Sequence, residues 1–137
     1  MDELDRQILD ILRRDARTPY TEIADEIGTS EGTVRNRVER MMDDEIIERF
    51  TISTRTGNVK AMLEISVAVD VDTKNVTERM ADWEEVDLVW TVSGEQDIVL
   101  IVDAADTRGV NDLITKARDQ DEVVNTKTRL ILDEQLG

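Results

Sequence analysis

The sequence predicts an α+β chain in two parts. A winged helix-turn-helix is expected over residues 1–50, a linker or wing strand over 51–60, and a ferredoxin-like β-α-β-β-α-β domain over 61–137. Three observations predict this. Apolar residues recur at helical spacing through the first third of the chain, broken once by Pro19 and once by Gly28. From Ala61 the spacing changes to strict alternation, which marks a half-buried strand. Alternating stretches and helical stripes then follow one another as strand, helix, strand, strand, helix, strand.

Leu4, Ile8, Ile11 and Leu12 share one face, so residues 3–15 form a first helix. Arg17–Tyr20 is a connector. Thr21 is placed to cap a second helix that points Ile23, Ala24 and Ile27 inward. The small Ala24 suits the closest approach of two short, steeply crossing helices. Gly28 suits a left-handed C-cap. Ser30 can cap a third helix with the inner stripe Val34, Val38, Met41 and Met42. Ile46–Ser53, rich in β-branched residues, is expected to be a strand, with a turn at Thr56-Gly57-Asn58. A generic helix pair with a Gly cap would need neither the preceding helix nor the following strand.

In the second part, Leu63, Ile65, Val67, Val69 and Val71 alternate with polar or small residues, giving a strand. Thr73 is placed to cap a helix carrying Val76, Met80 and Trp83. Val86, Leu88, Trp90 and Val92 alternate again, and Ser93-Gly94-Glu95-Gln96-Asp97 is a turn. Ile98–Val102 is apolar throughout, as in a strand buried on both faces. Thr107 is placed to cap a helix striped with Val110, Leu113, Ile114 and Ala117, and Val123–Leu132 is the last strand. Two helices cover only one face of such a sheet. With Leu88, Trp90, Ile98 and Leu100 toward the helices, Val89, Val99 and Ile101 fall on the open face, where sheet-on-sheet dimerisation would bury them.

Composition narrows the chemistry. The chain has no cysteine and no histidine, which removes disulfides, thiolate sites and the commonest general base near neutral pH. No metal motif is present, and neither a metal nor a cofactor is expected. No apolar run would span a membrane, and Asp2 and Glu3 after Met1 do not open a signal peptide, so no membrane partner and a cytoplasmic location are expected. Acidic residues outnumber basic ones 32 to 17, for a net charge of −15. That excess fits a halophile's high intracellular salt. At about 1 M salt the Debye length is about 3 Å, so repulsion from a polyanion is screened beyond direct contact.

The third helix is the candidate DNA contact. Ser30, Glu31, Gly32 and Thr33 form its N-terminal turn, where free N–H groups and the helix dipole favour phosphate. Arg35, Arg37 and Arg40 fall within six residues, in a stretch (1–50) that holds 8 basic and 14 acidic side chains. Thr33, Asn36 and Arg37 are assigned to base edges, and Arg35 and Arg40 to phosphates. Arg pairs bidentately with guanine and Asn with adenine. The competing reading for each Arg is an intrahelical ion pair, such as Arg35 with Glu31 or Glu39.

These residues together resemble the Lrp/AsnC, or feast/famine, family of transcription regulators almost end to end. The resemblance is carried by Leu4-Asp5 with Ile8-Leu9, by Asp15-Ala16-Arg17, and by Glu22-Ile23-Ala24 with Ile27-Gly28-Thr29-Ser30. Val34-Arg35-Asn36-Arg37-Val38, Ile46-Ile47 and the turn Ser93–Asp97 continue it. It implies a sequence-specific binder of double-stranded DNA whose second half is the family's RAM-type effector domain. It implies a dimer built through that domain, assembled in some members to octamers. It also implies an amino-acid-like effector held between dimers, at Gly94, Glu95, Gln96 and Asp97 with Thr126 and Thr128. Many relatives carry an aromatic residue just before the aspartate; Gln96 makes this turn more polar. Two alternatives stand beside this reading. One is an architectural or metabolite-sensing DNA binder with weak sequence choice. The other is a tetrapyrrole decarboxylase homologue, an activity that looks to histidines this chain lacks.

Overall fold

A computed structural model of the chain describes residues 1–94 and 97–137. It divides into two compact units, Met1–Thr54 and Arg55–Gly137.

The first unit holds α1 (Glu3–Arg14), α2 (Tyr20–Ile27) and α3 (Glu31–Asp43). Ile8, Ile11, Leu12, Ile23, Ala24, Val34, Val38 and Met41 form its core. At α1 the carboxylate of Asp2 accepts the Asp5 N–H at 3.0 Å, and that of Asp5 accepts the Asp2 N–H at 3.1 Å, a reciprocal capping box. Pro19, not Thr21, is the N-cap of α2. Its φ of −62° is already helical, and its carbonyl accepts the Ile23 N–H at 3.0 Å, so the helix starts ahead of Thr21. Gly28 ends α2 at φ +76°, and the N–H groups of Gly28 and Thr29 both reach the Ala24 carbonyl at 2.9 Å. A Cβ at Gly28 would meet nothing within 4 Å, so the backbone angle, not space, selects glycine.

Ser30 caps α3 as expected, accepting the Thr33 N–H at 3.2 Å. At its other end Glu45 takes φ +57°, while Ile46 N–H donates to the Met41 carbonyl at 2.8 Å and Glu45 N–H to that of Met42 at 3.1 Å. This is a complete Schellman closure with a charged residue where glycine is usual. Met42 is exposed, so the inner stripe is Val34, Val38 and Met41. The strand expected over Ile46–Ser53 does not form: Ile46 and Ile47 lie in a bend, and residues 48–53 are irregular. Every regular element of this unit is a helix, so no neighbour in it offers a ladder to pair with.

The second unit holds β1 (Val59–Val67), α4 (Thr73–Ala81), β2 (Val86–Thr91), β3 (Ile98–Ala104), α5 (Thr107–Arg118) and β4 (Val123–Leu130). The sheet order is β2-β3-β1-β4 with every pair antiparallel, the ferredoxin-like arrangement. Ala61, Leu63, Ile65, Ile98, Leu100 and Val102 pack under Val76, Met80, Val110, Leu113 and Ala117. β1 stops at Val67, leaving Val69 fully exposed, and β4 stops at Leu130 rather than Leu132. Asp72 and Asp106 are the N-caps in place of Thr73 and Thr107. The Asp106 carboxylate accepts the Gly109 N–H at 2.9 Å. Trp83 lies beyond the end of α4, buried, with the Lys116 ammonium 4.7 Å from its ring centroid.

One register detail reverses an expectation. The β2–β3 pairing shifts between Val86 and Leu88. The irregularity moves the rest of β2 by one side-chain phase. Val89 then pairs with Leu100 and packs on the helix-covered core. Leu88 and Trp90 turn to the open face, opposite Ile101 and Val99. Val99 and Ile101 lie on that face as read from sequence; Val89 does not.

Candidate functional site

The turn from α2 to α3 is only Gly28, Thr29 and Ser30, which fixes the start of α3. There Ser30 Oγ and Thr33 Oγ1 lie 2.8 Å apart. Gly32 is exposed, and a Cβ added to it would meet none of the described residues within 4 Å. Glycine inside a helix costs about 0.5–1 kcal/mol against alanine, and no packing among the described residues explains that cost here.

The helix turns by about 100° per residue, which puts Asn36 roughly 200° from Val34. Gly32, Asn36 and Arg40 are accordingly exposed, on the side away from the core. Neither Asn36 nor Arg40 forms a side-chain hydrogen bond or ion pair among the described residues. The sequence pattern assigns Arg37 to base edges together with Thr33 and Asn36. In the structure Arg37 is turned back: its Nη1 donates to Asp2 Oδ2 at 2.5 Å and to Asp5 Oδ1 at 3.2 Å. The guanidinium beside Asp2, helped by the Asp5 N–H, lowers that carboxyl to about 2, and the same pair raises Arg37. Arg35 pairs with Glu31 along the helix, the competing arrangement weighed for it. Asp2 and Asp5 escaped sequence reading as partners of α3. Their spacing signals a helix cap, and nothing in a local pattern announces a partner more than thirty residues away.

At the other candidate site, Glu95 and Gln96 lie outside the described residues. Gly94 takes φ +115°. Asp97 stitches the turn to β1: its N–H donates to the Ile65 carbonyl at 3.1 Å, and its carboxylate accepts the Val67 N–H at 3.2 Å. Its carbonyl also accepts the Val92 N–H at 3.0 Å. Thr126 and Thr128 lie opposite Ile65 and Leu63 on the far side of β1, so they share Asp97's sheet but stand about two strand spacings, roughly 10 Å, away. Thr126 Oγ1 accepts a hydrogen bond from Arg118 Nε at 3.0 Å.

The open sheet face carries two cross-strand rows. Trp90, Val99, Glu64 and Lys127 form one; Leu88, Ile101, Met62 and Arg129 form the other. The face is apolar toward the β2 edge and charged toward the β4 edge. Leu88 and Trp90 were missed from sequence because strict alternation carries no sign of the irregularity in β2. No helix among the described residues is long and apolar enough to cross a membrane.

Comparison with known proteins matches both units. Residues 1–42 fit the AsnC-type helix-turn-helix domain, and residues 60–135 fit the Lrp/AsnC ligand binding domain. The HTH-type transcriptional regulator LysM of Saccharolobus solfataricus is 35% identical over 133 residues, covering 96% of this chain and 94% of that protein. The crystal structure of MtbAldR superposes with a TM-score of 0.88 at 27% identity, covering 100% of this chain and 95% of that one. A feast or famine regulatory protein from M. tuberculosis, complexed with L-methionine, gives 0.82 at 25% identity, covering 99% and 95%.

Proposed function

This chain belongs to the Lrp/AsnC family of helix-turn-helix transcription regulators, and on that premise we propose that it is a dimeric, sequence-specific DNA binder that reads the major groove with the exposed face of α3. The observation that carries the reading is the row Gly32, Asn36 and Arg40, exposed on a Ser-capped helix behind a three-residue turn. Asn36 and Arg40 reach base edges. Ser30, Thr33 and the bare backbone at Gly32 receive a phosphate at the helix N-terminus. Arg35 exchanges Glu31 for a second phosphate. The chain acts by binding and assembly, not by catalysis.

Two copies pair through the open sheet face at Leu88, Trp90, Val99 and Ile101, which supports the presentation of two α3 helices. An amino acid bound between effector domains, near Gly94–Asp97 and Thr126–Thr128, shifts the assembly by its differential affinity for the alternative states. The L-methionine complex of the mycobacterial relative supports this class of effector. The excess of acidic residues, 32 against 17 basic, supports a high-salt setting. The test is a mobility-shift assay in molar KCl on the DNA upstream of the chain's own gene. A shift that Asn36→Ala and Arg40→Ala each abolish is expected. No shift with the unaltered protein, or shifts indifferent to both substitutions, would overturn the reading.

A further inference from the structure

Among the described residues Asp5 is the buried charged side chain of this protein, at 4% exposure. A carboxylate taken out of water needs a counter-charge and hydrogen bonds. Asp5 has both: the Asp2 N–H at 3.1 Å and Arg37 Nη1 at 3.2 Å. The same Arg37 nitrogen holds Asp2 at 2.5 Å. One guanidinium therefore ties the reciprocal cap at the start of α1 to the middle of α3. To reach a base edge, Arg37 would break both bonds and leave Asp5 buried without its cation.

We propose that Arg37 is a positioning residue, which sets the pose of α3 through Asp2 and Asp5, and that base reading falls to Asn36 and Arg40. The assignment rests on the DNA-binding reading above and changes which arginine does what within it. Charge alone gives the opposite expectation for Asp5. Removing a negative charge from a protein that meets a polyanion tightens binding by Coulomb attraction. If Asp5 acts by fixing α3, removing its charge weakens binding.

The experiment measures affinity for the upstream DNA across a series of KCl concentrations, for the unaltered protein, Arg37→Ala, Asp5→Asn, their double variant and Arg35→Ala. Arg37→Ala and Asp5→Asn are each expected to weaken binding by on the order of tenfold, and the double variant no further, because both break one unit. Neither changes the slope of log affinity against log salt, whereas Arg35→Ala reduces it by about 0.9, the loss of one phosphate-neutralising charge. A slope reduced by that amount in Arg37→Ala, or tighter binding by Asp5→Asn, would overturn the assignment. Should Arg37→Ala fail to fold by circular dichroism, Arg37→Lys keeps a cation beside Asp5. Its base preference across single-substitution DNA variants is expected to match the unaltered protein, and an altered preference at any position overturns the proposal. Absence of any shift with the unaltered protein overturns the DNA-binding reading itself, and this assignment with it.

Discussion

Trp90 on β2 and Val99 on β3 stand directly opposite one another, on the sheet face that neither α4 nor α5 covers. Trp90 is half exposed there, beside Leu88 and Ile101. An indole in that setting is expected to serve as the centre of a contact between two copies. Trp90→Lys should therefore shift the sedimentation profile from dimer to monomer at micromolar concentration, with the helical circular dichroism kept. Val89→Ala, by contrast, removes core packing and should cost about 1–2 kcal/mol in denaturant unfolding. A Trp90→Lys protein that sediments as the unaltered one does would remove this face from the assembly.

Gly32 separates stability from binding. With no neighbour within 4 Å of an added Cβ, Gly32→Ala should raise the unfolding free energy of the first unit by about 0.5–1 kcal/mol. It should also weaken DNA binding, because the methyl group would stand where a phosphate approaches. Chemical denaturation and the mobility shift read the two effects separately. A variant both more stable and equally tight would show that nothing approaches that backbone.

Glu45 holds a left-handed backbone, φ +57°, in the turn that closes α3. The steric cost of that conformation for a side-chain-bearing residue is about 1–2 kcal/mol, part of which glycine avoids. Glu45→Gly should raise the melting midpoint, corresponding to about 1 kcal/mol, and leave DNA affinity unchanged. A lowered midpoint would show that the Glu45 side chain contributes more than its backbone costs.

Acid should loosen both units for one kind of reason. Arg37 lowers the Asp2 carboxyl from 3.8 to about 2, and Arg79, paired with Glu122, lowers that carboxyl from 4.5 to about 2. A depressed carboxylate stabilises the fold above its unfolded-state pKa. That contribution is lost as pH falls through the folded value. The melting midpoint should therefore be level above about pH 5 and fall between about pH 4 and 2. Arg79→Gln should flatten the part of that fall that belongs to the second unit. A midpoint indifferent to pH across that window would contradict the pairing.

What could be read from sequence follows physical range. Helical stripes such as Ile8, Ile11 and Leu12, the Gly28 turn and the Ser30 cap are local, and each was legible. So was the order of strands and helices from Ala61 onward, since alternation and 3.6-residue spacing differ over a few residues. Thr21, Thr73 and Thr107 were misplaced as caps because a neighbouring Pro or Asp began each helix sooner. Val89 was put on the wrong face because a one-residue irregularity between strands inverts every later side chain while leaving the sequence pattern intact. Arg37 was read by its type, which suits guanine. Its partners Asp2 and Asp5 lie at the start of another helix, and pairing at that range is decided by folding, not by spacing.

Hydroxyl-radical footprinting of the upstream DNA in molar KCl tests most directly that paired copies present two reading helices. The expected result is two protected half-sites whose centres lie about 10 bp, or a multiple of that, apart. Asn36→Ala should erase both, and Trp90→Lys should uncouple them. Continuous protection without that spacing, unchanged in either variant, would contradict it.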